Sequence, residues 1–188
     1  MRFCKLPNDI CARIREYYSV KYRGKMFDEK KILTELNPIL RERVINFNCH
    51  SQLKTIDFLQ NLDENVLCEL MEYLKFDVYL QGDEIMKEGS RDSTVYFINT
   101  GTVMVKSKES AISDAQLFSE GEHFGEFCLL MPYMKRPASV IAKTNVCVYS
   151  ISSTDFEEVL SWFPSEREAL EKVKFQRIKE VLQRLVRK

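Results

Sequence analysis

The chain has 188 residues, 45% of them hydrophobic and 30% charged, and its 28 basic and 28 acidic side chains leave a formal net charge of zero. The length accommodates one sizeable core with an appended subdomain, and the composition is that of a folded protein rather than a disordered one. A neutral chain is also unlike a dedicated nucleic-acid binder, which carries a basic excess. The zero conceals an asymmetry, because residues 1–50 carry 11 basic and 6 acidic side chains (+5) and residues 51–188 carry 17 and 22 (−5).

The cysteines and histidines argue against a metal centre. The six cysteines form no C-x-x-C pair and there are two histidines, whereas a zinc site needs clustered ligands. No nucleophile, base and orienting group form a recognisable motif, so we expect a binding protein without a cofactor rather than an enzyme. No apolar run nears the roughly 20 residues of a membrane span, and the N-terminus lacks the apolar core of a signal peptide. We therefore expect a cytosolic chain with reduced, mostly buried cysteines.

Residues 1–75 carry the hydrophobic spacing of helices. A first helix is predicted to begin near Asn8 and to end at about Gly24. Three further helices are predicted to follow residues that can cap a helix N-terminus, namely Asp28, Asn37 and Asp63.

From about residue 76 the pattern changes to the alternation of β-strands. The predicted strands are residues 76–80, 84–87, 94–99, 102–106, 115–118, 138–142 and 145–151. Many short strands at close spacing are typical of a sandwich or barrel. Helices return after residue 152, first over residues 155–162 and then toward the C-terminus, where Ser165 and Glu168 form a capping-box pattern. The predicted fold class is α+β, with a helical part followed by an antiparallel, jelly-roll-like β-roll and flanking helices.

One stretch combines the features of a sugar phosphate site. Gly125 lets the backbone approach a ligand closely, and residues 126–130 are predicted to form a short helical turn with free N–H groups. Arg136, followed by the small residue Ala138, can make a forked contact with a phosphate. Glu126 can accept a hydrogen bond from a sugar hydroxyl. Each feature alone is common in loops, so the prediction depends on their combination.

These residues resemble a known cassette. Residues 124–130 read F-G-E-F-C-L-L and residues 136–139 read R-P-A-S, which resembles the phosphate-binding cassette of the cyclic nucleotide-binding domain family. Residues 22–29 and 44–49 resemble the C-linker of hyperpolarisation-activated, cyclic nucleotide-modulated (HCN) channels.

The resemblance implies a domain organisation. Residues 1–60 would be a C-linker that lacks most of its first helix, and residues 61–188 a cyclic nucleotide-binding domain. Within that domain the β-roll would span about residues 76–151 and the C-terminal helices about residues 153–187. The chain would be a soluble, cytosolic part of a voltage-gated cation channel of the plasma membrane, connected to the membrane only through a transmembrane part outside it. Such channels are homotetramers, but the shortened first helix predicts a weakened contact between subunits and a monomer in dilute solution.

The resemblance also implies a set of nucleotide-binding residues. The set is Gly125, Glu126, Cys128, Arg136, Pro137, Ala138, Arg177 and Val181. Glu126 would bond the ribose hydroxyl and Arg136 the cyclic phosphate, while Gly125 and Cys128 would offer backbone contacts around that phosphate. Arg177 and Val181 would lie on the last helix, against the purine.

Pro137 departs from the family pattern. HCN channels have threonine at this position, where its hydroxyl and N–H contact the phosphate, and proline has neither group. The missing hydroxyl argues against a preference for cGMP, so the predicted ligand is cAMP.

Two functions are compatible with this cassette and its departure at Pro137. The first is a regulatory domain that binds cAMP and transmits the change to a gate through the C-linker. The second is a nucleotide-insensitive structural or assembly domain, in which Pro137 impairs binding. A transcription regulator would need a helix-turn-helix after the roll, and the sequence after the roll has no room for one.

Overall fold

A computed structural model of the chain describes residues 6–22, 35–37, 39–40, 43–44, 59, 62–106, 116–131 and 134–172. Several predictions lie outside these residues, among them the end of the first helix at Gly24, the helix start at Asp28, and the two C-terminal site residues, Arg177 and Val181.

The described elements include five helices and eight strands. The helices are α1 (Asn8–Tyr22), α2 (Glu64–Glu72), α3 (Phe127–Leu130), α4 (Ser153–Ser161) and α5 (residues 164–172). The strands are β1 (Lys75–Tyr79), β2 (Glu84–Met86), β3 (Thr94–Thr100), β4 (Val103–Lys106), β5 (Gln116–Phe118), β6 (His123–Phe124), β7 (Ser139–Ala142) and β8 (Val146–Ser152). Seven strands agree with the predicted segments to within one residue at either end, and the two-residue β6 was not predicted.

The strands form two four-stranded sheets in which every pairing is antiparallel. The strand orders are β1-β8-β3-β6 and β2-β7-β4-β5. Apolar side chains fill the space between the sheets, among them Ile98, Val103, Val140 and Val148, which are fully buried. This arrangement confirms the predicted α+β fold with an antiparallel β-roll.

The helices cover the outer face of the first sheet. Val66 and Leu67 of α2 and Phe156 of α4 pack with Phe97 of β3 in a second buried cluster. That cluster fixes the position of β3, which lies beside the candidate site.

Three side chains among the described residues accept hydrogen bonds at helix starts. The Asn37 Oδ1 accepts one of 2.8 Å from the Leu40 N–H, as predicted. The Asp63 carboxylate accepts a hydrogen bond from the Asn65 N–H at the start of α2, as predicted, and the Ser152 hydroxyl accepts one from the Asp155 N–H at the start of α4. The capping-box prediction for Ser165 is wrong, because the helix already includes residue 164 and Ser165 lies in its first turn.

Helix α1 begins at Asn8, as predicted, and none of its residues is buried. Polar contacts connect it to the roll. Arg13 forms an ion pair with Asp83, and the Asn145 Nδ2 donates a hydrogen bond of 3.1 Å to Glu16.

Three features of the described residues bear on the remaining predictions. Their four cysteines, Cys11, Cys68, Cys128 and Cys147, are free thiols. None of the helices in these ranges is long and apolar enough to cross a membrane. The same ranges contain no group of three or more His, Cys, Asp or Glu side chains that could hold a metal ion.

Candidate functional site

The first part of the site is the turn between β6 and α3. Gly125 has a φ of +82°, and a Cβ atom built on it would lie 2.9 Å from both the Arg136 Nη1 and the Thr94 carbonyl oxygen. Glycine is therefore required here both for the backbone conformation and for the close approach of two neighbours. The predicted short helical turn follows directly as α3.

The second part is Arg136, whose side chain is only 3% exposed. Its Nη1 donates to the Gly125 carbonyl oxygen (3.0 Å), and its Nη2 donates to the Thr94 carbonyl oxygen and to the Asp92 carboxylate (2.8 Å). Among the residues the structure describes, its Nε has no hydrogen-bond partner. The guanidinium is thus held in a fixed orientation, and its buried Nε is left as an unused donor.

The backbone of Arg136 is also fixed. Its N–H donates to the Ser90 carbonyl oxygen and its carbonyl oxygen accepts from the Gly89 N–H, both at 2.9 Å. The loop between β2 and β3 therefore holds the main chain and, through Asp92, the side chain of the same arginine. This makes the position of the charge depend on a loop outside the cassette.

Asp92 is a site residue that sequence reasoning missed. It lies 44 positions before Arg136, outside any motif, and its second oxygen accepts a hydrogen bond of 2.7 Å from the Thr94 hydroxyl. A buried arginine needs a counter-ion, and that requirement was the one available signal. The sequence did not indicate which of 28 acidic side chains would supply it.

A cavity of about 410 Å³ opens beside these groups. Gly125, Glu126, Arg136, Pro137 and Ala138 line the side where Arg136 lies, and Glu122 and His123 are further polar residues of the lining. Its apolar part is formed by Met86, Val105, Phe118, Phe124 and Val140, which sequence reasoning did not assign to the site. The structure therefore brings together five of the predicted residues around a space of the size that small-molecule ligands occupy.

Three of the predicted residues differ in how buried they are and in whether they line the cavity. Glu126 is half-buried at its edge, and Pro137 is exposed beside Arg136. Cys128 is buried behind the turn, and burial raises the pKa of its thiol to about 11, although the positive charge of Arg136 opposes this rise. The thiol is therefore protonated at neutral pH. Cys128 is not among the described residues that line the cavity, and its backbone contact with the phosphate stays a prediction.

Comparison with known proteins relates the chain to a family and to full-length relatives. A model of the family described as cyclic nucleotide-binding domain matches residues 76–161. The potassium/sodium hyperpolarization-activated cyclic nucleotide-gated channel 1 of Rattus norvegicus is 40% identical over 178 residues, and channel 2 of Homo sapiens and channel 4 of Oryctolagus cuniculus are each 42% identical over the same length. These alignments cover 95% of the chain but 19%, 20% and 15% of the relatives, so the chain spans at most a fifth of their length.

The matched range contains both sheets, the cavity, Arg136 and helix α4. The family is that of a binding domain, and this match confirms the prediction of a binding module rather than an enzyme. Residues 76–161 therefore belong to the cyclic nucleotide-binding domain family, in a chain that is related over almost its whole length to hyperpolarisation-activated cyclic nucleotide-gated channels.

Proposed function

We propose that the domain binds a cyclic nucleotide, cAMP in preference to cGMP, in the cavity beside Arg136. The observation that supports this most directly is a buried guanidinium at the polar end of a cavity of about 410 Å³. An anion placed there shares the buried positive charge of Arg136 with Asp92 and can accept from the Nε, which has no partner among the described residues. Electrostatic attraction is stronger in such a buried site than at the surface.

The two ends of the cavity match the two ends of such a ligand. The cyclic phosphate lies at Arg136 and the turn at Gly125, and Glu126 accepts a hydrogen bond from the ribose hydroxyl. The flat base lies along the apolar part, against side chains such as Val105 and Phe118. This orientation places the sugar phosphate beside Glu126 and Arg136.

The proposed regulation depends on segments outside the described residues. Arg177 and Val181, on the C-terminal helix, cover the base, and residues 1–60 act as a C-linker that transmits the change to the gate. The ligand shifts this equilibrium only if it binds the closed helix arrangement more tightly than the open one. The full protein is then an HCN-like, voltage-gated cation channel, a tetramer with this domain on the cytosolic side of the plasma membrane.

A second function is a nucleotide-insensitive structural or assembly domain of such a channel. Pro137 favours it, because this residue lines the cavity beside Arg136 and has no N–H to donate to a phosphate. A lost hydrogen bond to a charged group costs about 1.5–3 kcal/mol, or at least a tenfold loss of affinity.

Calorimetric titration of the 188-residue chain with cAMP and cGMP separates the two functions. We expect saturable heat with cAMP, weaker binding of cGMP, and no heat from the variant Arg136→Gln at millimolar cAMP. Lys135→Gln is the matched control, because Lys135 is the exposed neighbour of Arg136. Circular dichroism confirms that each variant is folded. No heat from the unaltered chain at millimolar cAMP would refute the first function and support the second.

A further inference from the structure

One amide side chain lies on the apolar part of the cavity. That part belongs to the sheet β2-β7-β4-β5, which contributes Met86, Val105, Phe118 and Val140. Gln116, the first residue of the edge strand β5, lines the same cavity. A hydrogen-bonding group therefore lies on the surface against which the proposed function places the base.

The strand register shows on which face of the sheet Gln116 lies. Gln116 is paired with Val105, and Val105 is paired with Val140. Directly opposed residues share a face, and Val140 is fully buried between the sheets. Gln116 therefore lies on the cavity face, whereas its neighbour Leu117 lies on the outer face, 57% exposed.

The Gln116 amide is accessible to a ligand. The residue is exposed, and within the described part of the chain its side chain forms no hydrogen bond. A ligand that bonds this amide displaces only water and breaks no contact among those residues. The neighbouring side chains, Val105 and Phe118, are apolar. The polar lining residues Glu122 and His123 lie outside this sheet, so Gln116 is the polar residue that the sheet contributes to the described lining.

We infer that Gln116 recognises the edge of the purine base and selects adenine. An amide presents an N–H donor next to a carbonyl acceptor, and the edge of adenine presents the acceptor N7 next to the 6-amino donor, so glutamine pairs with it through two hydrogen bonds. Guanine presents two acceptors, O6 and N7, along the same edge, and the amide carbonyl then faces an acceptor. The inference rests on the proposed function, because it takes the ligand to be a cyclic purine nucleotide.

The test compares Gln116→Leu with the unaltered chain for three ligands: cAMP, cGMP and the cyclic monophosphate of purine riboside, which lacks the 6-amino group. A bidentate amide–adenine pair discriminates by roughly tenfold or more. We expect the unaltered chain to prefer cAMP over the purine analogue by about tenfold. In Gln116→Leu we expect this ratio to fall close to one, because cAMP loses two hydrogen bonds to the base whereas the analogue, which keeps N7, loses at most one.

The control is Leu117→Ala, a change in the same strand on the opposite face, which should leave all three affinities unchanged. If the nucleotides bind and the ratio of cAMP to analogue affinity is the same in Gln116→Leu, the inference is wrong and the proposed function stands. If the unaltered chain binds none of the three ligands, the proposed function fails and the inference fails with it. An equal loss for all three ligands in Gln116→Leu also overturns the inference, because it indicates a distorted cavity rather than a lost base contact.

Discussion

Gly125 connects backbone conformation with the geometry of the site. Its φ of +82° is unfavourable for any residue with a side chain, and the missing Cβ leaves room for Arg136 and the Thr94 carbonyl. The sequence predicted a glycine that lets a ligand approach. In the structure, the groups that approach it most closely belong to the protein itself, so this glycine places the arginine before any ligand arrives.

Gly125→Ala should therefore destabilise the chain and disturb the site together. The positive φ alone costs alanine about 1–2 kcal/mol, and two contacts at 2.9 Å add to this. Gly82→Ala is the matched control, because Gly82 has a φ of +88° and a Cβ atom built on it would have no neighbour within 4 Å. Urea unfolding should show a larger loss for Gly125→Ala, and cAMP titration should show weakened binding for that variant only. Equal losses of stability would mean that the two close contacts relax without cost.

Pro137 is the residue at which the chain departs from its family's cassette. Pro137→Ala restores a backbone N–H at the edge of the cavity, and Pro137→Thr restores the N–H and adds a hydroxyl. Each recovered bond to the phosphate should tighten cAMP binding by about tenfold or more, measured by calorimetry. Unchanged affinity in both variants would show that the phosphate does not approach this position.

At the scale of elements, the strands could be predicted and the partner of Arg136 could not. Strand signals are local: alternation along edge strands, and short apolar runs along the central strands β3 and β8, so seven strands agree with their predicted bounds to within one residue. Strand β6 has two residues, too few to show a period, and it is defined by its pairing with β3. The pairing of Arg136 with Asp92 depends on how two loops meet, which no local spacing encodes.

The loop between β2 and β3 and the segment before β7 are joined through Arg136. Asp92→Asn should lower stability by about 1.5–3 kcal/mol, because a buried guanidinium loses its charged acceptor. Arg136→Gln removes the same ion pair from the other side, so the double variant should lose less than the sum of the single losses. Urea unfolding of the unaltered chain, the two single variants and the double variant measures this coupling. Additive losses would mean that the ion pair contributes nothing to the stability of the loops.

At the scale of the whole molecule, the zero net charge divides between a basic N-terminal part and an acidic remainder. Among the described residues, an ion pair of the expected sign connects them, between Arg13 on α1 and Asp83 of the roll. Helix α1 has no buried residue, and only part of its apolar face is half-buried, including Ile14, Tyr17 and Val20. Polar contacts such as this ion pair and the Glu16–Asn145 hydrogen bond therefore carry a large share of its attachment. Helix α2, by contrast, is attached through four buried hydrophobic residues.

The attachment of α1 should therefore weaken with salt while the attachment of α2 does not. The Debye length falls from about 10 Å at 0.1 M salt to about 3 Å at 1 M, which screens an exposed ion pair and leaves apolar packing intact. Amide hydrogen exchange should become faster in α1 at 1 M sodium chloride and stay unchanged in α2. Arg13→Gln should reproduce the faster exchange at low salt, and Arg15→Gln, a change at an exposed position on the same helix, should not. Exchange in α1 that is independent of both salt and Arg13 would show that contacts other than charge hold this helix on the roll.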